Sequence, residues 1–247
     1  MTIQNAMVLA AGLGTRLRPI TDRMPKPLVP VGGRPMMDYV LDLIAEAGIR
    51  TVAVNVHHHA EQMDAYLSAR TDLEILISDE RDRLMNNGGG LARGLKLLPP
   101  GPVLVMNADL FWVGEPAGQP SNLRRLIDFF DEGAMDMAML CVGLEQSIGH
   151  NGTKDFDISP AGRLTRHRGG DAPSVVYAGA FVTTTEFFAD APDDAFNLNL
   201  YFDKAIERQR LYGIGLSGHW ITVGSPEGLH EAEAFLSSRP LQPPRPA

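Results

Sequence analysis

MVLAAGLGTRLRPITDRMPKPLVP, Met7 to Pro30, is the stretch from which the rest of the chain is read. It opens on a short apolar run, Ala6 to Ala11, of the length and composition of a buried strand. Gly12-x-Gly14-Thr15-Arg16 follows at once, and Lys26 stands ten residues after Arg16, held between Pro25 and Pro27. Glycines behind a strand let the backbone close on a bound group. Their N–H groups can then cradle phosphate oxygens, and Arg16 and Lys26 add fixed positive charge. Two common glycine motifs do not fit. Leu17 stands where the dinucleotide pattern needs its third glycine, and no Gly-Lys-Ser/Thr closes the turn as a P-loop requires.

The composition sets bounds on what such a loop can serve. The chain has 247 residues, 44% of them apolar, enough for one large α/β domain with a sizeable core. We expect that domain to span 1–239, with a change of character near residue 145 and an unpacked Pro-rich tail at 240–247. The net charge of −8 argues against a general affinity for nucleic acid or an anionic membrane. An anionic ligand must therefore be held by local basic residues. The one cysteine, Cys141, sits in the apolar run MAMLCV and reads as an inert core residue. A single cysteine excludes an internal disulfide framework and, with no signal peptide or spanning segment visible, leads us to expect a cytoplasmic protein. The oligomeric state is left open.

In chain order, Pro35–Ala47 is expected to be a helix ended by Gly48, and Thr51–His57 a strand. Ala60–Ala69 reads as a helix, Leu73–Ser78 as a strand, and Leu91–Leu98 as a helix preceded by three glycines. Val103–Trp112 reads as a strand ending in Asn107-Ala108-Asp109. Asn122–Asp131 is expected to be a helix and Met135–Val142 a core strand. Strands alternating with helices imply a doubly wound, mostly parallel α/β sheet, in which ligands bind at the carboxyl ends of the strands. That rule puts the Gly12 loop, the segment after Ser78 and the segment after Met106 on one rim. His57-His58-His59 end a strand, and adjacent residues there point apart, so a loop role is expected rather than a metal site. From Ile148 the alternation lapses. Short runs at Phe156–Ser159, Leu164–His167 and Val175–Thr183 read as an antiparallel extension laid over the sheet. Asn199–Gln209 is expected to be a helix and Leu211–Val223 a pair of strands. Pro226–Leu236 reads as a helix with Ser225 as its cap.

The whole string G-x-G-T-R-x9-K with Pro-Lys-Pro resembles the signature of sugar-1-phosphate nucleotidyltransferases, whose fold is Rossmann-like (GT-A-like). Asn87-Gly88-Gly89-Gly90, Asn107-Ala108-Asp109, IGHNGTKDF (Ile148–Phe156), VVYAGAF (Val175–Phe181) and GHWITVG (Gly218–Gly224) follow in the order of that family's motifs. The resemblance covers about Ala6 to Leu236 and is closest to the N-acetylmuramate-1-phosphate uridylyltransferase branch. It implies that Ala11, Gly12, Gly14, Thr15 and Arg16 bind the nucleotide, with Arg16 on the β and γ phosphates. Glu80, Asn87 and Gly88 would lie at the nucleobase. Lys26 would bridge the α-phosphate and the attacking phosphate, and Asp109 would hold Mg²⁺.

The resemblance places the sugar phosphate at His150, Asn151, Asp155, Gly179 and Asn197 in the half after residue 145, joined by Asn107 from the first half, with Lys154 one residue from the family's arginine. The implied reaction is transfer of a nucleoside monophosphate, UMP being favoured, from a triphosphate to a sugar 1-phosphate in cell-wall recycling. GTP with mannose or heptose 1-phosphate, CTP with phosphocholine, and a non-catalytic nucleotide sensor are the rivals. One departure stands out: Thr222 occupies the place of the family's second metal-binding aspartate.

Overall fold

In a computed structural model, which describes residues 2–238, the opening apolar run forms β1 (Asn5–Leu9). The long loop behind it leads to a small hairpin, β2 (Pro30–Val31) and β3 (Arg34–Pro35), and then to α1 (Met36–Glu46). Next come β4 (Thr51–Val56), α2 (Ala60–Ser68), β5 (Glu74–Asp79) and α3 (Asn86–Leu95). β6 (Pro102–Asn107), β7 (Leu110–Val113), α4 (Asn122–Phe129) and β8 (Met137–Val142) follow. The later part holds β9 (Ser147–Ile148), β10 (Phe156–Ile158), β11 (Leu164–Arg166) and β12 (Ser174–Thr184). The last described elements are α5 (Asn199–Glu207), β13 (Leu211–Gly215), β14 (His219–Thr222) and α6 (Pro226–Ser237).

The main sheet is mixed. Its parallel half runs β6-β1-β4-β5. β12 then pairs antiparallel with β6, β8 and β10, while β13 lies parallel to β8. The central strands are buried on both faces, which is why they read as continuous apolar runs rather than alternating ones. Val8, Val54 and Met106 face a core shared with α1, α2 and α4, whereas Met7, Ala53 and Val105 face one shared with α3 and α5. A smaller sheet, β7-β14-β9, packs through Phe111, Ile221 and Val223 against Leu17 of the first loop, Met36 and Tyr39 of α1, and Leu236 of α6.

Four readings of the sequence are corrected here. The antiparallel strands do not lie over the sheet but continue it, because β12 supplies hydrogen bonds directly to β6. Val103–Trp112 is two strands: the chain leaves the main sheet after Asn107 and enters the small one at Leu110. β13 and β14 pair not with each other but with β8 and with β7 and β9. Gly88, Gly89 and Gly90 belong to α3 itself. Glycine is a poor helix former, but these positions have no room for a side chain. A Cβ on Gly89 would stand 2.4 Å from the Asp194 carbonyl oxygen, and one on Gly90 2.6 Å from both Asn55 Nδ2 and Glu80 Oε1. The glycines let α3 press against its neighbours. The expected tail at 240–247 lies outside the described residues, as does residue 239.

Ser225 caps α6 as expected, its side chain accepting from Gly228 N, with Pro226 at the first helical position. Gly179 shows why one position on β12 must be glycine. Its φ is +78°, and a Cβ there would stand 2.0 Å from Cδ2 of the buried Leu110. The left-handed conformation and the overpacking together should make Gly179→Ala cost about 2–4 kcal/mol. A drop in the urea midpoint at unchanged slope is the result that checks this.

Candidate active site

Three strand ends meet as the topology requires, at the carboxyl ends of β1, β4 and β6. The loop after β1 begins with Ala10, whose N–H donates to Asn55 Oδ1 on β4 at 2.6 Å. Gly14 takes a left-handed turn (φ +62°), and the Thr21 hydroxyl donates to its carbonyl at 2.8 Å, folding the loop back on itself. Pro25 and Pro27 fix the backbone around a single turn at Lys26–Leu28, where Val29 N donates to the Lys26 carbonyl at 3.0 Å. That turn buries Lys26 and aims its ammonium at the end of β6, where Nζ lies 2.5 Å from Asp109 Oδ2. Asp109 is anchored by its own backbone, its carbonyl accepting from Val223 N at 3.2 Å.

A cavity of about 250 Å³ opens over this pair. Ala10, Ala11 and Gly12 form one wall, Leu84, Asn86 and Asn87 another, and Asn107, Ala108 and Asp109 a third, with Lys26 and Asn55 between them. Six of the residues singled out from the sequence therefore line one space: Ala11, Gly12, Lys26, Asn87, Asn107 and Asp109. Gly14, Thr15 and Arg16 do not line it. Thr15 and Arg16 are exposed on the outer turn of the loop, and the Arg16 guanidinium lies beside Gly224. Arg16 has no ion pair among the described residues, so its charge remains available to an anion.

The structure separates the other candidates. Glu80 is fully buried behind the cavity, where Oε1 accepts from Asn55 Nδ2 at 2.7 Å and Oε2 from Met85 N at 3.0 Å. It braces the wall instead of lining it. Gly88 donates its N–H to the Phe196 carbonyl at 3.0 Å, and Asn87 Oδ1 accepts from Leu198 N at 2.9 Å, so the start of α3 is tied to the segment before α5. Asn197 Oδ1 accepts from Asn199 N at the start of α5. Asp155 Oδ2 accepts from Tyr177 N at 2.9 Å. His150 tilts against Trp220 with ring centroids 5.3 Å apart, and Asn151 and Lys154 are exposed. The Cβ direction of Gly179 points at Leu110, so its place serves packing.

Two of the three histidines hold loops. His57 Nδ1 meets the Glu80 carbonyl and His58 Nε2 the Thr21 carbonyl, both at 2.7 Å, and His59 starts α2. Among the described residues no group of three or more His, Cys, Asp or Glu is placed to hold a metal. Burial pushes the Cys141 thiol up to about 12, so it carries no thiolate at neutral pH.

Asn55 is the residue the motifs did not reveal. It is 2% exposed, and its side chain links the first loop through Ala10 to the Leu84–Asn87 wall through Glu80. The signal was present: a lone amide in the run TVAVNV, buried on both faces, must satisfy its polar atoms locally. Asn55→Leu would keep the volume but leave the Ala10 N–H and a Glu80 oxygen unpaired. A loss of about 2–4 kcal/mol is expected, read from denaturant unfolding.

The chain is similar to known proteins in sequence and in fold. A model of the nucleotidyl transferase family matches residues 5–148. The chain is 37% identical over 236 residues to N-acetylmuramate alpha-1-phosphate uridylyltransferase of Caulobacter vibrioides, covering 94% of this chain and 96% of the relative. It is 26% identical to the protein of the same name from Neisseria meningitidis serogroup B, over 94% and 98% of the two chains. In fold it is similar to UDP-glucose pyrophosphorylase from Acinetobacter baumanii, with a TM-score of 0.76 at 18% identity over 95% and 93% of the chains. Among the described residues no helix is long and apolar enough to cross a membrane. A family model spanning more than half of the chain and a relative 37% identical along nearly all of it settle the matter: the chain belongs to the nucleotidyl transferase family, and it is an enzyme of that class.

Proposed function

We propose that the protein transfers a uridylyl group from UTP to N-acetylmuramate 1-phosphate and releases pyrophosphate. The observation that carries the chemistry is the Lys26–Asp109 pair at the base of a cavity edged by a glycine-loop backbone. The choice of substrates is supported by the likeness to the Caulobacter vibrioides uridylyltransferase along almost the whole chain. An oxygen of the sugar 1-phosphate attacks the α-phosphorus of UTP. The bond from that phosphorus to the α–β bridging oxygen breaks, and pyrophosphate carries the electron pair away.

The attacking oxygen is already anionic, so no base is needed to generate it. What the site must supply is alignment and charge neutralisation. Lys26 is neutralised by Asp109 in the free protein. Anionic phosphates entering the cavity compete for its ammonium, which would then sit between the two phosphates that react. Arg16, exposed on the same loop, would hold the leaving phosphates, and the Ala11–Gly12 backbone would face the triphosphate. Asn87 and the Leu84–Asn86 segment form the wall left for the base.

Asp109 is the residue that would hold Mg²⁺. A single carboxylate at a strand end, partly exposed beside the cavity, is a donor set Mg²⁺ accepts when substrate phosphates and water complete its six positions. When bound, the ion neutralises phosphate charge. The Mg²⁺ requirement, a cytoplasmic setting and a place in cell-wall recycling belong to the same proposal. The experiment is product identification. With Mg²⁺, UTP and N-acetylmuramate 1-phosphate, the expected products are the UDP-linked sugar and pyrophosphate in equal amounts. Hydrolysis of UTP without a sugar product, or no turnover, would refute the reading.

A further inference from the structure

Two buried polar side chains join opposite walls of the cavity. Asn55 on β4 is 2% exposed, and Glu80, the residue after β5, is 0% exposed. Ala10 N donates to Asn55 Oδ1 at 2.6 Å, Asn55 Nδ2 donates to Glu80 Oε1 at 2.7 Å, and Met85 N donates to Glu80 Oε2 at 3.0 Å. The relay therefore starts in the Ala10–Gly12 wall and ends inside the Leu84–Asn87 wall. Its middle is held in place. Glu80 N donates to the Val56 carbonyl at 2.9 Å, and His57 Nδ1 lies 2.7 Å from the Glu80 carbonyl oxygen. α3 closes over the relay at Gly90, whose Cβ position is 2.6 Å from both Asn55 Nδ2 and Glu80 Oε1.

Chemistry fixes the direction of the relay. The N–H groups of Ala10 and Met85 can only donate, so an acceptor must face each of them. An amide at 55 with a carboxylate at 80 meets that demand. An amide at 80 would set N–H against N–H at Met85, at Asn55 or, if Asn55 turned over, at Ala10. A carboxylate at 55 would set oxygen against oxygen. The partners of the Glu80 carboxylate are an amide and a backbone N–H, not a cation. Burying a carboxylate in that way is costly, and two apolar side chains would fill the space at less cost. The relay thus calls for a role other than stability.

We propose that Asn55 and Glu80 are positioning residues for the donor nucleotide. Their relay sets the separation of the glycine-loop backbone from the Leu84–Asn87 wall, and with it the fit of a nucleoside triphosphate between the two. This rests on the nucleotidyl-transfer reading above. Glu80 acts on the base only through the backbone it holds at Met85. Lys26 and Asp109 take no part in the relay, so a fault in it falls on nucleotide binding and spares the acceptor.

The test compares Glu80→Gln, Asn55→Asp and the two changes together with the unaltered enzyme. Pyrophosphate release is measured with UTP varied at saturating acceptor and with the acceptor varied at saturating UTP, and each melting temperature is recorded. Either single change is expected to raise the KM for UTP roughly tenfold, the effect of losing one hydrogen bond to a charged group. The acceptor KM should stay within about twofold of normal. The exchanged pair rebuilds the relay: the carboxylate now at 55 accepts from Ala10 N and from the amide at 80, whose oxygen accepts from Met85 N. It should bring the UTP KM back to within about threefold of normal. An unchanged UTP KM in a folded single variant, or equal rises in both KM values, overturns the proposal. An exchanged pair that fails to fold, or whose UTP KM stays raised whatever its melting temperature, does so too. Should neither single variant fold, the exchanged pair decides by the same criterion. If the unaltered enzyme turns over no UTP with any sugar phosphate, the underlying reading fails first, and this one with it.

Discussion

Lys26→Ala is expected to lower kcat/KM for pyrophosphate release by a factor of roughly 10²–10³, or about 3–4 kcal/mol of transition-state stabilisation. The ammonium is buried by the Pro25–Leu28 turn and reaches the end of β6. Among the described residues no other lysine or arginine lines the cavity. The fold should survive. The carboxylate left behind, Asp109, has a side chain 36% exposed, and water can solvate it once its partner is gone. A circular dichroism melt beside the kinetics separates the two effects. Turnover within a few-fold of normal in a folded Lys26→Ala protein would remove Lys26 from the reacting centre.

Asp109→Asn is expected to abolish Mg²⁺-dependent turnover to a similar extent. The amide keeps the shape and can still accept from Lys26, but it loses the charge a hard cation prefers. Position 222 sharpens the case. Thr222 pairs with Leu110 across the β7–β14 ladder, and the next residue, Val223, donates its N–H to the Asp109 carbonyl. A carboxylate at 222 would therefore stand next to Asp109. With a neutral threonine there, Asp109 and the substrate phosphates would share the metal under the proposed reading. Thr222→Asp should preserve or tighten the Mg²⁺ dependence, read as the Mg²⁺ concentration at half-maximal rate. Full activity in Asp109→Asn would mean the metal is held elsewhere.

Much of this site was legible in the primary structure because its parts are local. The Met7–Pro30 stretch carries its own turns, prolines and cations, and β4 and β6 are apolar runs that end at polar residues, His57 and Asn107. What was not legible depends on distant partners. Gly88–Gly90 looked like a loop because helix propensity is all a single sequence shows. Their helix exists because Asp194, Asn55 and Glu80 press against it. Glu80, matched by motif to the nucleobase, is 0% exposed and satisfied by Asn55 and Met85, partners the sequence does not show. The break between β6 and β7 has no glycine or proline to mark it. Only the pairing of Leu110–Val113 with β14 reveals it. Asn197 and Gly179, matched by motif to the sugar site, have local structural tasks that no motif displays.

The central claim is uridylyl transfer to an amino sugar phosphate, and one side-by-side measurement tests it. Pyrophosphate release is followed for UTP with N-acetylmuramate 1-phosphate, GTP with mannose 1-phosphate, and CTP with phosphocholine, at equal enzyme and Mg²⁺. The predicted result is the highest kcat/KM for the UTP pair, by at least about tenfold, a difference of about 1.4 kcal/mol in transition-state binding. A higher kcat/KM for the GTP or CTP pair would contradict it.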